Sequence, residues 1–219
     1  MPKIVDRQER QEAFLAAAYR MIKKHGLAGV TARSVAAEAG FTTGALVHYV
    51  SSMDELLVKA SEYSARDVRA KMLEAEKIPD PVESLRTVLY LALPIDADTK
   101  GNWNFFLGFW ERSVHNAAVR EVSHLRYDEW LDRITRLIQR IERADRLAPG
   151  VNISSAARAI IGMIDGLAIQ VLRSGNPPSA RQLRDIVDTF IERWLMPQPE
   201  GASKKTPRAA QEPAARRRA

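Results

Sequence analysis

Within nineteen residues, Thr31, Arg33, Thr42, Thr43, His48 and Tyr49 bring together hydroxyl, guanidinium and imidazole groups, with Gly44 and Val47 set between them. Groups of these kinds hold phosphate oxygens and read base edges. Arg33 suits a bidentate contact with guanine O6 and N7, worth about 1–3 kcal/mol of discrimination. Thr43, Gly44 and Val47 are small enough to let a helix approach bases in a major groove roughly 12 Å wide. An exposed helical glycine costs about 1 kcal/mol against alanine, so Gly44 serves close approach better than it serves stability.

Two short helices must carry these side chains. Thr31 is placed to cap the first, whose buried side is Val35, Ala36 and Ala39, and Gly40 ends it in the left-handed conformation that side chains with a Cβ resist. Thr42 caps the second, with Leu46 and one side of Tyr49 turned inward and Thr43, Gly44, Val47 and His48 turned out. That is the spacing of a helix-turn-helix. An ordinary Ala-rich helical hairpin shares it, and the flanks decide between them. Phe14, Ala17, Ala18, Met21 and Ile22 form an apolar stripe on a helix from about Asp6 to Lys24, which completes a three-helix head. Ser52 and Glu55 spell a capping box that starts a fourth helix directly, with Leu56, Leu57 and Ala60 on its buried side.

The pattern G-x-x-x-x-T-x-R-x-V-A-x-x-A-G-x-x-x-G-x-L-x-H-Y, over about residues 7 to 60, resembles the DNA-binding head of TetR-type bacterial repressors. Further on, F-W-E-R-S-V-H-N at Phe109 to Asn116, R-Y-D-E-W around Tyr127 and M-I-D-G-L-A at Met163 to Ala168 are similar to the regulatory domain of the BetI-type branch. The resemblance implies phosphate contacts at Thr31 and Thr42, base contacts at Arg33, Thr43, Gly44 and Val47, and backbone contacts at His48 and Tyr49. One departure stands out: where the family commonly has lysines near the start of the fourth helix, this chain has Ser51 and Met53, leaving a hydroxyl and a helix N-terminus to meet phosphate. For the branch, the resemblance implies choline or a related organic cation as effector.

The residues that would hold such a cation are aromatic. Trp103, Phe106 and Trp110 fall at i, i+3 and i+7, Tyr127 and Trp130 at i, i+3 on the next helix, and Tyr90 precedes both. Aromatic faces attract cations, although aromatics at helical spacing also serve simply as core. Glu111, Asp128, Glu129 and Asp165 are candidate counter-charges. An enzyme is a poor fit: the histidines are scattered at 25, 48, 115 and 124, and there is no H-E-x-x-H, P-loop or G-x-S-x-G. His115 and His124 with Glu111 and Asp128 suggest a metal site, but the break at Asn116 interrupts their spacing. With no cysteine, disulfides and thiolate metal sites are excluded. No cofactor, metal or catalytic residue is expected.

Every long segment from Met53 to Met196 has helical periodicity. Breaks at Pro79-Asp80-Pro81, Leu93-Pro94, Asn116-Ala117, Ala148-Pro149-Gly150 and Gly175 to Pro178 divide it into about six helices. The expected fold is therefore all-α with about nine helices: a helix-turn-helix DNA-binding domain at 1–52, a helical effector-binding and dimerisation domain at 53–196, and a disordered basic tail at 197–219. The last two helices are apolar on more than one face, through Ile160, Ile161, Ile164, Leu167, Ala168, Val171 and Leu172, then Leu183, Ile186, Val187, Phe190, Ile191, Trp194 and Leu195. A homodimer through these helices would bury the surplus, with Gly162 and Gly166 allowing close approach. Of the formal net charge of +6, residues 1–49 hold +3 and residues 197–219 hold +4, so the body is near neutral. A basic head agrees with phosphate binding. The N-terminal residues do not read as a secretory leader, and no run of about 18 apolar residues suggests a membrane span. The expectation is a cytoplasmic, effector-released repressor on a double-stranded inverted-repeat operator. A helical interaction scaffold without specific DNA binding is the alternative.

Overall fold

The computed structural model describes residues 5–198. Among the described residues nine α-helices run in order: α1 Val5–His25, α2 Ala32–Glu38, α3 Thr43–Val47, α4 Met53–Glu76, α5 Pro81–Ala92, α6 Ala97–His115, α7 Ala117–Arg143, α8 Ile153–Arg173 and α9 Ala180–Phe190. Among the described residues there is no strand. The expected basic tail lies outside the described residues from position 199 onward.

The head keeps closely to its sequence signals. Phe14, Ala17, Ala18 and Ile22 of α1 are buried, as are Val35 and Ala36 of α2 and Leu46 of α3. Thr31 Oγ1 accepts the Ser34 amide at 3.2 Å while Ser34 Oγ accepts the Thr31 amide at 2.9 Å, a reciprocal cap. Gly40 sits at φ 77°. There the Gly40 amide donates to Ala37 O and the Phe41 amide to Ala36 O, so two carbonyls at the end of α2 are satisfied within the turn. Thr42 Oγ1 accepts from the Ala45 amide at 3.2 Å and starts α3.

The capping box at α4 forms only by half. Ser52 Oγ accepts the Glu55 amide at 3.1 Å, but the Glu55 carboxylate reaches past Ser52 to the amide and hydroxyl of Ser51, both at 2.7 Å. The core beneath the head also extends beyond residue 52. Leu56, Leu57 and Ala60 of α4, Phe105 and Phe109 of α6 and Val119 of α7 all pack into it.

A second core fills the body, with Leu85 and Leu89 from α5, Ile134 and Ile138 from α7, Ile160 and Ile164 from α8, and Val187 from α9. Among the described residues six helices come after the head, divided at the expected breaks: Asp80 caps α5, Asn116 caps α7 and Ser179 caps α9. By length and composition α8 is apolar enough to cross a membrane, although scattered polar residues keep it from reading as an unbroken apolar run. Seven of its side chains are instead buried in the protein. After α9 the chain widens into one π-turn, Ile191–Leu195, that buries both Ile191 and Leu195 and leaves Trp194 67% exposed.

A candidate DNA interface and an effector cavity

The α3 face is built from the inside outward. Leu46, 1% exposed, anchors the helix in the head, and the Tyr49 ring lies 5.5 Å from Phe14. Thr43, Gly44 and His48 are exposed, and Val47 is 65% exposed. A Cβ added at Gly44 would meet nothing nearer than Thr42 Oγ1 at 3.9 Å, so this surface is open. Thr31, Arg33 and Thr42 are exposed beside it. The two threonines differ: Thr31 donates its hydroxyl proton to Ser34 Oγ, whereas Thr42 uses only a lone pair in capping and keeps its proton for an outside acceptor. Tyr49 is half-buried, with its carbonyl held by Lys59 Nζ at 3.1 Å.

The family departure at Ser51 has a structural consequence. Its hydroxyl is committed to Glu55, whose carboxyl is held down at about 2 by Lys59 first and then by Ser51. A phosphate at this position would compete with an existing carboxylate for the same donors.

α4 is not alone in joining head to body. Besides α4, the α6 helix lies against α1. Asn104 Nδ2 caps the Lys23 carbonyl at 3.1 Å, Tyr19 bonds to Asn102, and Lys23 pairs with Asp98. At Gly108 an added Cβ would fall 2.7 Å from Leu27 Cβ, so α6 and the loop after α1 touch backbone to side chain. Arg112 pairs with both oxygens of Asp54 near the start of α4, and Asn116 Nδ2 joins them at 2.8 Å, which holds the Asp54 carboxyl below its usual range, through Arg112 first. The residue types carried no signal of this; glycines within an aromatic helix were the one available hint.

The opposite side of α6 faces a cavity of about 210 Å³. Trp103, Phe106 and Trp110 from α6, Tyr127 and Trp130 from α7 and Asp165 from α8 all line it. The Trp103 ring lies 6.0 Å from Phe106 and 5.9 Å from Trp110, both edge-on, and its indole N–H donates to Ala92 O at 2.8 Å. Tyr90 does not belong to this group. Its phenol donates to Asp188 at 2.6 Å, Arg184 lies over its ring, and burial together with Asp188 pushes its pKa up to about 12. Position in the chain placed Tyr90 near the cluster, but the turn of α5 aims it at Asp188 of α9.

Of the candidate counter-charges, Asp165 and Glu129 line the cavity and Glu111 and Asp128 do not. Glu129 is already shared by Arg69 at 2.8 Å and Arg126 at 3.1 Å. Asp165 has no ion pair or hydrogen bond among the described residues, and burial alone pushes its carboxyl up to about 6. The arginines of the wall, Arg69, Arg126 and Arg133, were missed by the sequence reading, although Arg126, Glu129 and Arg133 fall at i, i+3 and i+7 around the Tyr127 and Trp130 pair. Among the described residues no cluster of His, Asp and Glu could hold a metal.

On the outer side of α8 and α9, Ile169, Ile186 and Trp194 are exposed, with Phe190 stacked on Trp194 at 5.9 Å. The space above Gly162 and Gly166 is empty of protein atoms.

A slim exposed helix on a capped head and a ligand-sized cavity in a helical body are the two halves of a ligand-responsive regulator, and comparison with known proteins agrees. The family model for bacterial regulatory proteins of the tetR family matches residues 14–60, and that for the C-terminal domain of BetI-type transcriptional repressors matches residues 81–196, more than half of the chain. The chain belongs to the tetR family, whose members are transcriptional regulators that bind DNA operators and small effectors and act as dimers. Within it, the body is of the BetI type. The regulator PksA of Bacillus subtilis is 24% identical over 94% of this chain and 100% of its own length, and BetI of Burkholderia ambifaria is 28% identical over 89% and 98%. A regulator from Saccharomonospora viridis, solved in complex with choline, superposes with a TM-score of 0.82 at 24% identity, over 87% of this chain and 100% of that one. These relatives are regulators, not enzymes, and the scaffold alternative is not favoured.

Proposed function

We propose that this chain is a cytoplasmic homodimeric repressor that reads an inverted-repeat operator through α3 and is released by a small organic cation of the choline type. The observation that carries the effector half is Asp165: an unpartnered carboxylate, raised by burial, in a cavity walled by Trp103, Phe106, Trp110, Tyr127 and Trp130. A quaternary ammonium donates no hydrogen bond, so it needs aromatic faces and a nearby negative charge, and both are there. That a structural neighbour was solved with choline supports the same chemistry.

The DNA half rests on the outward set Thr43, Gly44, Val47 and His48, flanked by Thr31, Arg33, Thr42 and Tyr49. Dimerisation through α8 and the α9 segment accounts for the exposed Ile169, Ile186 and Trp194, and sets two heads for successive major grooves roughly 35 Å or more apart. The effector acts by differential affinity: it favours a head spacing that no longer fits the operator. Both α4 and α6 carry that change, because each touches the cavity on one side and the head on the other.

Gel-shift with genomic fragments, with and without excess competitor DNA, tests operator binding. Calorimetry with choline, betaine aldehyde and polyamines tests the effector. Absence of heat with all three removes the cation reading, and shift of every fragment alike removes the specific operator.

A further inference from the structure

Lys59 is a cation beside α3 that is already taken. Its Nζ donates to the Tyr49 carbonyl at 3.1 Å, which sets the ammonium just past the C-terminal end of α3, and it pairs there with Glu55 at 2.7 Å. The other oxygen of the Glu55 carboxylate accepts from both the amide and the hydroxyl of Ser51, each at 2.7 Å. An ammonium, a hydroxyl and a backbone N–H thus converge on one carboxylate.

These groups stand where a sugar-phosphate backbone would run. With five residues, α3 is about 7.5 Å long, less than the roughly 12 Å width of a major groove, so residues just past its ends lie against the groove walls. Proteins meet those walls with lysine and arginine side chains, hydroxyls and backbone N–H groups, the kinds of donor that Glu55 holds. The Glu55 carboxyl, kept at about 2 by Lys59 first and then by Ser51, is ionised throughout the neutral range. It repels phosphate and cancels the charge of Lys59. Asp54, the other acid in the first turn of α4, is instead matched by Arg112 of α6.

We propose that Glu55 is a brake on operator affinity, an internal carboxylate that stands in for a backbone phosphate and keeps Lys59 and Ser51 out of the DNA contact. The inference rests on α3 as the reading helix and adds a residue that lowers affinity without touching a base. Phosphate contacts carry no sequence information, so the brake weakens every duplex alike and leaves the preference for the operator unchanged. A head that holds DNA less tightly is released by a smaller differential affinity of the effector for the two states.

The test compares the full-length protein with Glu55→Gln by fluorescence anisotropy over about 50–200 mM salt, on a fragment recovered by gel-shift and on an unrelated duplex. Glutamine keeps an acceptor at this position, as the capping-box pattern allows. The variant should bind both duplexes at least about threefold more tightly near the middle of that range, and the slope of log affinity against log salt should steepen by about 0.9, as one more neutralised phosphate requires. Adding Lys59→Met to Glu55→Gln should return the slope to that of the parent. Should Glu55→Gln fail to fold, Glu55→Ala asks the same question, because the Ser52 cap uses the amide of residue 55 and not its side chain. If the slope is unchanged and affinity stays within about twofold, or if the gain is confined to the operator or survives the loss of Lys59, the brake proposal is overturned while α3 remains the reading helix. If neither parent nor variant binds any duplex, the DNA reading falls and the brake with it.

Discussion

Gly44→Ala separates two properties that a merely structural helix would keep together. The added methyl meets only Thr42 Oγ1, at 3.9 Å, and the backbone of α3 is ordinary helix at this position, so the head accommodates it without strain. Alanine exceeds glycine in helix propensity by about 1 kcal/mol in a helix interior. In the first turn of a five-residue helix about half of that is a fair expectation, which raises the melting temperature by about 1–2 °C for a chain of this size. On DNA the same methyl stands between α3 and the base edges. Losing one good base contact costs about 1–3 kcal/mol, or about 5- to 150-fold in Kd. Gly40→Ala is the internal control: its Cβ also has free space, but at φ 77° the residue is strained by about 1–2 kcal/mol, so the melting temperature must fall. Thermal melts and fluorescence anisotropy on a fragment recovered by gel-shift give both readouts. If Gly44→Ala is stabilised yet binds operator within twofold of the parent, α3 is not the reading helix.

Gly108→Ala drives a Cβ to 2.7 Å from Leu27 Cβ and must push α6 from the head. A loss of about 1–3 kcal/mol in stability is expected, together with an altered effector concentration for half-release in an operator-binding assay. Asp165→Asn should weaken a cationic effector by at least about tenfold without lowering stability at pH 7. The sign comes from a folded pKa of about 6, above the ordinary carboxylate value near 4. The stabilising contribution of this group is complete below about pH 4 and is lost as pH rises through about 6, so melts across pH 4–7 should slope less in the variant. Over the same range, cation affinity in the parent protein should rise with pH as the carboxylate ionises, and a flat profile would remove Asp165 from the site. Trp194→Glu places a charge on the exposed apolar face of the last segment. Sedimentation at micromolar concentration should then return a 24.5 kDa species where the parent returns twice that mass, and an unchanged dimer would relocate the interface.

Local signals made the head legible before any coordinates. Thr31, Gly40 and Thr42 act through bonds to neighbours three to five residues away, and the Phe14 to Ile22 stripe repeats with the helical period, so chain order alone contains the geometry. The same holds for the number of helices, since Asp80, Asn116 and Ser179 each cap the helix that begins at the next residue. The π-turn at Ile191–Leu195, which buries Ile191 and Leu195, was not legible, because no turn residue marks it.

Sequence by itself determined an all-helical chain with a helix-turn-helix face and an aromatic-rich middle, because capping, periodicity and turn chemistry are short-range. Only the tertiary structure decided which aromatics meet. Tyr90 turns to Asp188, 98 positions away, while Trp103 and Tyr127 converge on Asp165. It also decided which charges are spoken for, leaving Asp165 alone, and it set α6 against the head at Gly108. Pairing and close approach depend on distances between helices remote in sequence, and no local pattern of residue types encodes them.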